Sequence, residues 1–185
     1  WLGDCEPAEL RKMPECMKRV QAVREFRLSS KSEGTQKLAD KPTRFHVENM
    51  PKEDYLLIPR VSSEKRKYIP IGYIKAGNLC GDSVHITTEA TLYHFGILTS
   101  SVHMAWMRSV CGRLKSDYRY SKDIVYNNFP WPDLNGEREV GSGKKKSNES
   151  LDDYRKRVKA RISLCAEEIL RTRDNHSDSS LADLY

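Results

Sequence analysis

Hydrophobic and polar positions change their period twice along this chain. Over residues 7–28 the spacing is helical. Met17, Val20, Val23 and Leu28 supply much of an apolar stripe, with Arg19, Arg24 and Arg27 beside it. Pro7 suits a first helical turn, where no backbone N–H is needed, and Pro14 restarts the helix. Residues 35–39 predict one more short turn, ended before Pro42. From residue 43 to residue 99 the pattern becomes strand-like. Strands are predicted over 44–47, 55–58, 68–74 and 84–88, with Pro51 and Pro59 as punctuation. Pro70 inside the third of these points to an edge or a bulge. Residues 78–82, with Gly77 and Gly81, form a loop.

The period then lengthens again. Ser100 or Ser101 caps a helix that runs to about Cys111 and ends at Gly112, with Val102, Ala105, Trp106 and Val110 at the spacing of its buried face. Residues 118–120 and 124–126 predict two strands around a turn at 121–123, and the aromatic run Phe129, Pro130, Trp131, Pro132 closes the unit as a buried corner. Residues 134–150 are polar, with Gly136, Gly141, Gly143 and three consecutive lysines, and predict a mobile linker. Residues 151–173 predict a strong helix, with Tyr154, Val158, Ile162, Cys165 and Ile169 on one stripe. The expected fold class is α/β of the α+β kind: an irregular, mainly antiparallel sheet with flanking helices, then a C-terminal helix after the linker. The expected divisions are 1–133, 134–150 and 151–185.

Composition narrows the function classes. The 185 residues are 38% hydrophobic and 31% charged, with a formal net charge of +6. That balance permits a polyanionic partner without requiring one. No apolar run approaches the ~20 residues that span a bilayer, and the first residues do not form a signal peptide. The chain opens on Trp1 rather than Met, and residues 181–185 are apolar enough to call for burial, so both ends read as cuts in a longer chain. Five scattered cysteines (Cys5, Cys16, Cys80, Cys111 and Cys165) without C-x-x-C spacing read as reduced thiols of a cytoplasmic protein. The five histidines show no metal-ligand spacing.

Two motifs invite functional readings and fail on spacing. Gly136 and Gly141 have the separation of a phosphate loop, but Ser142 stands where Lys is required. Asn127 to Pro132 has the composition of the base-holding motif of amino-methyltransferases, but its prolines are not adjacent. No S-adenosylmethionine loop and no nucleophile–base set is present, and Asp152-Asp153 reads as a solvated helix face. What remains is cation placement. Arg60, Lys65, Arg66, Lys67 and Lys75 lie in or beside the strand region, and Arg108, Arg113, Lys115, Arg119 and Lys122 lie around the later helix end and hairpin. Such a set suits phosphate neutralisation with polar loops reaching base edges. On composition alone a solvated charged surface is the better reading.

Longer runs carry more information. SSVHMAWMRSVCGRL at 100–114 and YRYSKDIVYNNFPWP at 118–132 strongly resemble the recognition domain of MmeI-type fused restriction–methylation enzymes, the type IIL group. EFRLSSK at 25–31, LIPRVSSE at 57–64 and LYHFGILTS at 92–100 agree, and the end of the chain, SLADLY, is similar to the start of that family's C-terminal helical domain. The resemblance implies sequence-specific recognition of double-stranded DNA within an adenine-N6 methyltransferase of a bacterial restriction–modification system. S-adenosylmethionine, and Mg2+ if a nuclease is present, are implied for the parent chain and not for this segment. The methyltransferase domain of that parent chain is the implied protein partner, and no membrane is.

The resemblance also assigns base-reading residues: Arg60, the pair Asp82 and Ser83, and Lys115, Asp117 and Arg119. From the cation placement, Lys65, Arg66, Lys67, Arg113 and Lys122 are the candidates for phosphate binding. If residues 115–119 are extended, 115, 117 and 119 share a face. Lys115 donating to guanine and Asp117 accepting from cytosine N4 then read both halves of one G·C pair, and Arg60 with Asp82 can do the same. The competing reading of each pair is a surface salt bridge, worth ~0–1 kcal/mol. The competing functions are a scaffold joining the methyltransferase to the C-terminal helices and a general single-strand or RNA binder. The latter would need exposed aromatics, whereas Tyr118, Tyr120, Trp106 and Trp131 read as core.

Overall fold

A computed structural model describes residues 2–48, 51–134, 149–181, 183 and 184. The chain divides into two compact units, residues 1–49 and 50–185. The phosphate-loop spacing and most of the expected linker lie outside the described residues.

The first unit holds three helices: α1 (Pro7–Arg11), α2 (Pro14–Leu28) and α3 (Glu33–Lys37), the last continuing into a 3-10 turn at Leu38–Asp40. Pro7 and Pro14 both sit in first turns, where their missing N–H costs nothing. The expected strand at 44–47 does not form. Its backbone is claimed instead by Arg27, whose guanidinium donates to the carbonyls of Leu38, Lys41 and Arg44 at 2.8, 2.9 and 2.7 Å. Among the described residues of this unit, Leu10, Val20 and Ala39 are buried.

The second unit is built on two three-stranded antiparallel sheets. The first has the order β3-β1-β4, with β1 (Tyr55–Pro59) central between β3 (Gly72–Ile74) and β4 (Val84–Thr87). The second has the order β2-β6-β5, with β6 (Asp117–Arg119) between β2 (Val61–Ser62) and β5 (Gly112–Leu114). The expected strand over 68–74 shrinks to its last three residues. Across Pro70, which has no N–H, the amide of Ile71 donates to the carbonyl of Ile69 at 2.8 Å and closes a tight turn. Ile69 and Ile71 are still buried in the core.

Helices cover this core. The stretch 92–98, read as part of the strand region, is the helix α4 (Leu92–Leu98), with the Thr91 amide donating to His94 Nδ1 at 3.1 Å. The helix α5 (Ser101–Val110) starts where expected, capped by Ser100. Its buried face is rotated from the expected one: His103, Met104 and Met107 are buried and Val102 and Ala105 are exposed. Gly112 does not end the helix as a left-handed cap; it opens β5. Residues 122–126 are not a strand but a wide π turn, in which the Asn127 amide donates to the Lys122 carbonyl at 2.8 Å. The aromatic corner is present. Phe129 is buried against His103, ring centroids 4.6 Å apart, and against Trp131 at 5.4 Å.

The last helix, α6 (Leu151–Asp174), packs on α4 within the same unit. A Cβ on Gly96 would come within 2.8 Å of Ile162 Cγ2 and 3.0 Å of its carbonyl, so only glycine allows this crossing. Tyr154 and Val158 are buried as the stripe expected, but Ala166 rather than the exposed Cys165 enters the main core. Mixed helix and strand, small antiparallel sheets and a C-terminal helix are the architecture that the hydrophobic pattern called for.

Candidate nucleic-acid interface

The chain passes from one sheet to the other at a single residue. Arg60 lies between β1 and β2. Its amide donates to the Ser83 carbonyl at 3.0 Å, extending the β1–β4 ladder, and its carbonyl accepts from the Tyr120 amide at 2.8 Å, extending the β2–β6 ladder. Its guanidinium Nη1 donates to the Asp82 carbonyl at 2.7 Å. Arg60 and the Asp82-Ser83 pair, more than 20 residues apart in sequence, are thus adjacent. Val61 pairs directly with Arg119, which brings the third group of expected readers to the same place.

The expectation of one extended segment over 115–119 is overturned. Leu114 pairs with Asp117, so Lys115 and Ser116 are the two central residues of a tight hairpin turn. Lys115 has φ +55°, a conformation for which glycine or asparagine is the usual choice. Lys115 therefore sits at a hairpin tip and does not share a strand face with the other two. Asp117 and Arg119 do share a face, two residues apart on β6. Asp117 Oδ1 accepts a long hydrogen bond, 3.4 Å, from the Glu64 amide, which ties the 63–67 loop to the hairpin. Among the described residues the Lys115 ammonium and the Arg119 guanidinium enter no ion pair.

The expected phosphate contacts fall into three settings. Lys65, Arg66 and Lys67 lie in the loop after β2, closed by the Arg66 amide donating to the Ser63 carbonyl at 3.1 Å. Lys122 pairs with Asp123 at 2.7 Å on an exposed surface. Arg113 folds back on its own hairpin: it donates to the Ser116 carbonyl at 3.0 Å and stacks over the Tyr118 ring at 4.2 Å, so it holds the turn.

Tyr120 anchors the junction from below. Besides its amide bond to Arg60, its carbonyl accepts from His85 Nε2 at 3.3 Å, and its hydroxyl lies 3.0 Å from His103 Nε2 on α5. Burial pushes the Tyr120 phenol above its ordinary range and holds the His103 imidazole down to about 4. Burial also lowers the His85 imidazole, and the positive charges of Arg60 and Lys122 act in the same direction. The His103 ring is therefore neutral at physiological pH. The interface therefore combines acceptors (Asp82, Asp117), donors (Arg60, Arg119, Lys115) and a neutral, rigid support.

The family described as "MmeI, target recognition domain" matches residues 1–133. The chain belongs to this family. DNA methyltransferase A of Bacillus subtilis (strain 168) is 36% identical over 138 residues, which cover 75% of this chain and 16% of that protein. The solved structure of the type IIL restriction-modification enzyme MmeI in complex with DNA is similar over 100% of this chain and 22% of that one, with a TM-score of 0.79 and 36% identity. The chain spans less than a quarter of the length of either relative.

Sequence reasoning about this target recognition domain did not single out four residues that neighbour the candidate site: Val61, His85, Gly112 and Leu114. Cross-strand register places all four, and no local motif marks them.

Proposed function

We propose that this chain reads a specific sequence of double-stranded DNA for a longer adenine-N6 methyltransferase of a restriction–modification system. The observation that supports this reading best is the convergence of Arg60, Asp82, Ser83, Asp117 and Arg119 on one sheet junction, with Lys115 and Lys65 exposed beside it. Direct readout needs donors and acceptors held together on a rigid surface, and phosphate contacts around them to set register. Arg60, Asp82, Ser83, Lys115, Asp117 and Arg119 act as base readers. Lys65, Arg66, Lys67 and Lys122 act on phosphates, with Arg113 bracing the hairpin. S-adenosylmethionine, and Mg2+ for any cleavage, belong to other parts of the longer protein, which works in the cytoplasm.

A second role is complementary. Phe26 is 74% exposed, and Leu28 and Val47 in the same unit are also exposed. Exposed large apolar side chains in this unit favour, in our reading, a partner surface in the longer protein. Residues 1–49 dock on the methyltransferase domain of the same longer protein.

The base-reading role is tested by sequencing the sites methylated by the full-length enzyme and its variants. Arg119→Ala is expected to relax or change the accepted base at one position, a loss of ~1–3 kcal/mol in discrimination. Lys65→Ala is expected to weaken all sites alike and to lower the slope of log affinity against log salt by about one. An Arg119→Ala enzyme that still methylates the original motif unchanged would show that Arg119 does not read bases.

A further inference from the structure

The outward face of the second sheet is not wholly polar. Direct cross-strand partners share a face, with Cβ atoms roughly 5 Å apart. Val61, Arg119 and Gly112 therefore form one row across the three strands, and Asp117 and Leu114 form the next row on the same face. The opposite face carries Ser62 and Tyr118, both buried. Leu114 is 51% exposed and Val61 is 40% exposed, each beside a polar reader. A leucine held out at a hairpin tip contributes nothing to the core beneath it.

Gly112 adds an independent observation. A Cβ there would meet nothing nearer than Arg119 Cβ at 4.0 Å, and its φ is not left-handed. Neither the turn nor the packing requires glycine. What its missing side chain does is leave the flank of Arg119 bare, so that another molecule can approach the backbone closely. The unpaired cations Lys115 and Arg119 on the hairpin mark that molecule as anionic. The major groove of DNA admits a β-ribbon, and its one apolar group on an unmodified base pair is the 5-methyl of thymine.

We propose that Leu114, beside Asp117 on this face, contacts a thymine 5-methyl group and so adds a thymine requirement to the bases chosen by hydrogen bonding. The proposal rests on the outward face of this sheet meeting base edges. It does not depend on which base Arg119 or Asp117 accepts.

The test replaces thymines by deoxyuridine. Once the motif of the full-length enzyme is defined by methylation sequencing, duplexes are made in which each thymine of the motif is changed singly to deoxyuridine, and binding is measured by fluorescence anisotropy. This removes one methyl group and leaves every hydrogen bond in place. For the unaltered enzyme, deoxyuridine at one thymine should weaken binding about fourfold, the worth of one methyl group taken out of water. In Leu114→Ala the thymine and deoxyuridine duplexes should bind within about 1.5-fold of each other, while Leu114→Met keeps a difference. A structural role for Leu114 would lower both affinities and preserve their ratio. The proposal is overturned if no deoxyuridine weakens the unaltered enzyme, or if Leu114→Ala keeps the fourfold ratio. Failure of hydrogen-bond reading appears separately, as an Arg119→Ala enzyme with an unchanged motif.

Discussion

The two sheets of the second unit are joined through Arg60, yet they do opposite things. In the β3-β1-β4 sheet the central strand is sunk in the core, with Tyr55, Leu56 and Ile58 buried. In the β2-β6-β5 sheet the central strand buries only Tyr118 among its three residues and turns Arg119 outward. The chain that links them changes role at Arg60, where backbone hydrogen bonds to Ser83 and Tyr120 extend both ladders. The first sheet holds the shape and the second presents it. Residues of the first should therefore govern stability, and residues of the second should govern recognition with little effect on stability.

The largest expected effect falls on the first sheet. Ile58→Ala, at a site 1% exposed, should cost the 185-residue chain ~2–5 kcal/mol in urea unfolding through lost burial and the cavity left behind. Leu114→Ala in the second sheet should stay within about 0.5 kcal/mol. Equal losses for the two would erase the contrast between the sheets.

A second effect concerns the support that links them. His103 is buried and neutral, its imidazole held down to about 4 against an ordinary 6.5. Its folded value is lowered, so its contribution to stability is complete above about 6.5 and is lost as pH falls toward 4. The loss by pH 4 is on the order of 3 kcal/mol. The unfolding free energy of the chain should therefore drop across this window, and the drop should be clearly shallower in His103→Gln. An identical pH profile in the variant would mean that other groups set it.

The smallest effect sharpens the contrast most. Gly112→Ala should leave stability unchanged or raise it by about 0.5 kcal/mol, since the backbone is ordinary and the space is open. Specific DNA binding by the full-length enzyme should nevertheless fall about fivefold, because the added methyl intrudes on a face that meets DNA. Unchanged binding would place this face away from the groove.

Much of this was legible in the amino-acid sequence, because burial imposes a local period. The strand at 55–58, the helix capped by Ser100, the stripe of α6 at Tyr154 and Val158 and the aromatic corner at Phe129 all follow from residue type and spacing. The long runs around residues 100–132 also sufficed for the family. What failed were segments whose shape depends on non-local partners. Residues 44–47 have strand-like side chains, but Arg27 takes the Arg44 carbonyl. Residues 115–119 alternate like a strand, but Lys115 turns through positive φ without the glycine or asparagine that usually announces it. Arg60 with Asp82 and Arg119 with the later run were singled out as separate groups, and only the pairing of β1 with β4 and of β2 with β6 brought the groups together. Tertiary structure alone put Val61, Gly112 and Leu114 on one face with Asp117 and Arg119. Cross-strand register is decided by hydrogen bonds between distant segments and by which face the core claims, and neither is written in any one stretch of residues.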